Sequence, residues 1–73
     1  MEIGKVYGFM YQGVSDHKPE FRRVLVDEEI GGNAPAIVGK LMEEENFEAI
    51  RRFRFDRMTS PPVNITDGWI IRR

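Results

Sequence analysis

The sequence predicts an all-β protein, a small and strongly bent antiparallel barrel of five short strands. Three observations point there. Aromatics fall at alternate positions in Tyr7, Phe9 and Tyr11. Apolar and charged residues alternate again through "RRFRFDRM", from Arg51 to Met58. Clusters of Gly, Pro, Asn and Asp separate the short segments.

Each element follows in turn. Val6 to Gln12 reads as the first strand, with Gly8 on its opposite face marking a bend or a close backbone approach. "GVSDHKP" supplies turn chemistry from Gly13 to Pro19. "EFRRVLVDEE" is the second strand and completes a hairpin, with Phe21, Val24, Leu25 and Val26 as its apolar content. "IGGNAP" breaks the chain. The next stretch supports two readings. One is a helix within about 34–48, capped by Asn33 with Pro35 in its first turn, which would make the fold α+β. The other is a strand from Ala36 to Glu43, a turn at Glu44–Glu48 and a return strand from Ala49 to Met58. Gly39 disfavours the helix by about 1 kcal/mol, and the alternation after Arg51 favours the strands. "TSPPVN" then stops the chain, because prolines cannot donate to a ladder. Asp67-Gly68 reads as a turn and Trp69, Ile70 and Ile71 as a last short strand. Five such strands can close on themselves and remove most exposed edges.

A chain of 73 residues suits one domain, 1–73, and reads as a whole small protein. Such a domain buries only about 60% of the surface its unfolded chain exposes. It has no Cys, so no disulfide and no thiolate zinc site can staple it, and the single His17 makes no imidazole site. No metal or other cofactor is expected. Packing and self-association remain as sources of stability, which leaves a homo-oligomer open as one possible state. No secretory signal and no apolar run of roughly 20 residues is present, which points to a cytoplasmic setting and no membrane partner. Asn64-Ile65-Thr66 matches a glycosylation acceptor only by chance on that reading.

The net charge of −1 excludes binding of nucleic acid by overall charge, but the charges are segregated. Glu43, Glu44, Glu45 and Glu48 precede Arg51, Arg52, Arg54 and Arg57. If Phe53 and Phe55 face the core, Arg52, Arg54 and Asp56 share the outer face. Arg52 and Arg54 would then offer planar guanidinium forks to phosphate. The competing reading is a solvated face whose arginines pair with Asp27, Glu28 or Glu43. Asp56 suits the orienting of a neighbouring arginine. Arg51 and Arg57 fall on the phenylalanine face at its ends, where their stems cover the core rim. Arg22 and Arg23 point to opposite faces, and one of them can join the patch. Phe9 is expected in the core. Tyr7, Tyr11 and Trp69 are either core or stacking platforms for bases. Asp16 and His17 lack a nucleophile, so no catalytic site is expected.

"RRFRFDRM" resembles the Arg-x-Phe-Arg-apolar-Asp-Arg-apolar signature that ends the core of WYL domains, and "FMYQG" followed by "FRRVLV" is similar to their first hairpin. The resemblance spans roughly Val6 to Pro61. The naming Trp-Tyr-Leu tripeptide, expected near Ala36-Ile37-Val38, is absent, and no helix-turn-helix precedes the first strand. The resemblance implies an Sm/SH3-like barrel and a regulatory role in binding nucleic acid or nucleotide effectors, and it singles out Arg54 and Arg57. A minimal version of this kind looks like the short proteins of phages and other mobile elements. The functional expectation is a non-enzymatic module for a phosphate-bearing ligand through Arg52, Arg54, Arg57 and one of Arg22 or Arg23. The alternative is a small protein-interaction module, such as a phage factor that inhibits a host protein.

Overall fold

A computed structural model describes residues 1–42 and 50–71. In chain order the elements are β1 (Val6–Tyr11), β2 (Glu20–Ile30), β3 (Ala36–Leu41), β4 (Ile50–Arg54), a 3₁₀ turn (Phe55–Arg57), β5 (Val63–Asn64) and a helix, α1 (Thr66–Ile71). The five strands form one antiparallel sheet in the order β4-β3-β2-β1-β5. The segment from Ala36 is therefore a strand rather than a helix. The turn expected at Glu44–Glu48 and the side chain of Trp69 lie outside the described residues.

Direct partners in an antiparallel pair share a face. Tyr7 lies opposite Val24, Phe9 opposite Arg22 and Ile37 opposite Phe53. Phe9, Val24, Val26 and Ile37 are almost wholly buried and form the centre of the core. β1 and β4 are not neighbours in the sheet. Even so, the Phe53 ring of β4 stands 5.8 Å from Phe9 and 5.2 Å from Tyr11, edge-on to both. The sheet is thus curled until its first and fourth strands meet across the interior. The chain then closes the curl itself. After β4 the 3₁₀ turn carries it to the free edge of β1, where Met58 bridges Tyr11. Gln12 N–H donates to the Arg57 carbonyl at 3.1 Å and Thr59 N–H to the Met10 carbonyl at 2.9 Å. Pro61 and Pro62 interrupt this edge, and β5 resumes it opposite Tyr7 and Gly8. The result is a small all-β fold, a five-strand antiparallel sheet curled into a barrel.

Two expected elements are corrected. The fourth strand does not run to Met58; it ends at Arg54. Phe55 N–H donates to the Pro35 carbonyl at 3.0 Å and Met58 N–H to the Phe55 carbonyl at 3.2 Å, which turns the chain onto β1. Phe53 is buried as the alternation requires, whereas Phe55 is half-buried against the core from the turn. The last strand is not Trp69–Ile71, which belongs to α1, but Val63–Asn64, inside the segment expected only to stop the chain. The cause is local. Asn64 Oδ1 accepts from Thr66 N–H at 3.0 Å, and the buried Thr66 hydroxyl accepts from Val6 N–H at 2.8 Å. These bonds dock the start of α1 on β1, whose edge Val63 to Ile65 already fill.

The close approach at Gly8 is to a side chain rather than to backbone: a Cβ there would come within 2.7 Å of the Phe21 ring. Gly39 faces a harder neighbour, the Leu25 backbone carbonyl. Among the described residues no helix is long and apolar enough to cross a membrane.

Candidate anion-binding site

The register of β4 sorts the arginines. Arg52 and Arg54 lie opposite Val38 and Ala36 and are exposed, while Arg51 shares a face with Phe53. Arg54 is engaged. Its Nε donates to Asp56 Oδ1 at 3.1 Å and its Nη2 to Oδ2 at 2.6 Å, a bidentate pair. The hydrogen bond to Asp56, and then the carboxylate's charge, raise the Arg54 pKa above its ordinary value. Asp56 therefore orients an arginine, as its sequence setting suggests. Asp27 pairs with Lys40 instead, at 4.0 Å. The Arg52 side chain makes no hydrogen bond or ion pair with a described residue.

The two arginines of β2 part company. Arg23 is on the outer face, its guanidinium carbon 5.7 Å from the centre of the Phe21 ring, a cation–π contact. Arg22 is on the inner face opposite Phe9, at the end of the barrel, and among the described residues its ion-pair contact is a long one, 3.8 Å to Glu20. Arg22, not Arg23, lines a cavity together with Arg51 and Arg52 of β4.

There the barrel opens into a shallow cavity of about 270 Å³. Arg22, Arg51 and Arg52 surround a floor of Tyr11, Leu41 and Phe53, and Gly13 and Asp16 complete the rim. A second cavity of about 280 Å³ is lined by Gln12, Gly13, Val14, Asp16, Asp56, Arg57 and Thr59. Gly13 and Asp16 line both, so the β1–β2 turn divides them. Asp16 builds that divider: its Oδ2 accepts from Gly13 N–H at 2.8 Å, its N–H donates to the Gly13 carbonyl at 3.2 Å, and its carbonyl accepts from the Gln12 side chain at 3.2 Å. Arg54 lines neither cavity.

The stacking reading of the aromatics does not hold at Tyr11, which is only 9% exposed. Phe53 is 5% exposed, so neither lining aromatic of the first cavity offers an open ring face. Tyr7 is half-buried, and its hydroxyl accepts from Glu2 N–H at 2.9 Å. Among the described residues no three His, Asp or Glu side chains gather as a cation site. Sequence reasoning missed the divider, although Asp16 three residues after Gly13 is the spacing of a side chain closing its own turn. No family model, curated protein or solved structure matches this chain.

Proposed function

We propose that this protein is a non-enzymatic binding module for a phosphate-bearing ligand, nucleic acid or a nucleotide effector, in a regulatory or phage accessory role. One observation carries the reading: Arg22 from β2 and Arg52 from β4, 30 positions apart in sequence, converge on one open cavity, and Arg52 has no described partner. Two guanidiniums from different strands suit a phosphate, which accepts parallel hydrogen bonds from each. The likeness of "RRFRFDRM" to the WYL signature supports the same ligand class, but the geometry shifts the emphasis. Arg54 is tied to Asp56, so Arg52 and Arg22 are the first contacts and Arg54 an accessory one. Titration with single-stranded DNA, RNA and nucleotides at low salt tests this. Arg22→Ala with Arg52→Ala should remove most of the affinity, and binding should weaken as salt rises. Unchanged affinity in the double variant defeats the reading.

A second reading, a module that binds and inhibits a host protein, draws on the exposed apolar side chains of Phe21, Ile50 and Val63. Nuclease treatment before a lysate pull-down separates the two. A single protein retained after nuclease, and lost on Phe21→Ser, favours the second.

A further inference from the structure

We infer that the ligand is a chain of at least two linked nucleotides that straddles the Gly13–Asp16 turn, one unit in each cavity, rather than a single nucleotide. The inference rests on the phosphate-binding reading above and adds the ligand's length and phosphate type. The two cavities are nearly equal, about 270 Å³ and about 280 Å³, and share only Gly13 and Asp16. Each has its own cation. Arg22 and Arg52 line the first and Arg57 lines the second, and none of the three lines both. One phosphate on one side of the turn therefore leaves the cation on the other side unused. A linear phosphodiester carries one charge per unit and meets the two cation sets in succession.

The carboxylates point the same way. Asp16 lies on both rims and Asp56 in the second cavity. A terminal phosphate carries about −1.5 to −2 charges near neutral pH, and those carboxylates repel it more than they repel a singly charged diester. With no open ring face among the lining aromatics, backbone charge dominates and base sequence matters little.

Calorimetric titration at low salt with adenosine monophosphate, a 5′-phosphorylated adenosine dinucleotide and an oligoadenylate of about ten units tests this. The expected result is a gain of about tenfold or more from mononucleotide to dinucleotide, because the second contact is intramolecular. Arg57→Gln should remove most of that gain while lowering mononucleotide affinity less than Arg52→Ala does, and an unchanged thermal melt shows that the variant is folded. Arg52→Ala should lower all three affinities. A mononucleotide that binds as tightly as the longer ligands, or a gain that survives Arg57→Gln, overturns the inference alone. If none of the three probes binds, the phosphate-binding reading falls and the inference falls with it.

Discussion

The Tyr11 hydroxyl accepts a hydrogen bond from the backbone N–H of Arg54 at 3.1 Å. The bond joins the end of β1 to the end of β4, two strands that are not sheet neighbours. It satisfies the Arg54 N–H where β4 gives way to the 3₁₀ turn. Tyr11→Phe keeps the ring in its edge-on cluster with Phe9 and Phe53 but leaves that N–H without its partner. A loss of about 1 kcal/mol is expected in urea unfolding, with an unchanged denaturant slope.

Thr66 makes the corresponding bond at the other end of β1. Its buried hydroxyl accepts from Val6 N–H at 2.8 Å. Thr66→Val preserves the shape and strands the donor, at an expected cost of about 1–3 kcal/mol. Faster hydrogen exchange at Val6 should accompany the lowered unfolding midpoint.

The two close-approach glycines should respond differently to a methyl group. At Gly8 the obstacle is the tip of the Phe21 ring, a half-exposed side chain that can swing away. At Gly39 it is the Leu25 carbonyl in the neighbouring strand, together with the Val24 side chain. Gly39→Ala should destabilise by about 1–3 kcal/mol, the usual range for overpacking. Gly8→Ala should cost clearly less, and paired thermal melts of the two variants read the difference.

Asp56 holds the Arg54 fork in a bidentate grip on an exposed surface. Asp56→Asn removes a negative charge from the rim of the second cavity and frees Arg54 for phosphate. Affinity for single-stranded DNA should rise by about twofold to tenfold, and log affinity should fall more steeply with log salt. A weaker binder would show that the pair, rather than the free guanidinium, is what the ligand meets.

Much of this arrangement is legible in the sequence where a pattern repeats. Tyr7, Phe9 and Tyr11 alternate through a whole strand, and Arg22 and Arg23 had to part to opposite faces. Phe53 had to oppose Arg52 and Arg54 for the same reason. Legibility fails where one hydrogen bond outweighs a pattern. Phe55 continues the alternation on paper, yet its N–H goes to Pro35 and the chain turns. Val63 and Asn64 are too few to show any period, and Ile70 and Ile71 carry strand-forming side chains into a helix that Asn64 and Thr66 have already started. Which β2 arginine lines a cavity with the β4 arginines depended on the curl of the whole sheet. The choice between Arg22 and Arg23 therefore lay beyond any local signal.

The edge of β1 that Met58, Val63, Asn64 and Ile65 complete has a consequence during synthesis. β1 leaves the ribosome before β2 and well before its second partner, which lies beyond β4 in the chain. Until residues 57–66 emerge, a strand bearing Tyr7, Phe9 and Tyr11 has one ladder unfilled and the barrel cannot shut. Pairings of such long sequence separation form slowly, on the order of milliseconds to seconds. A nascent chain stalled short of Thr66 is thus an aromatic-rich open sheet, the state in which a chaperone has most to hold.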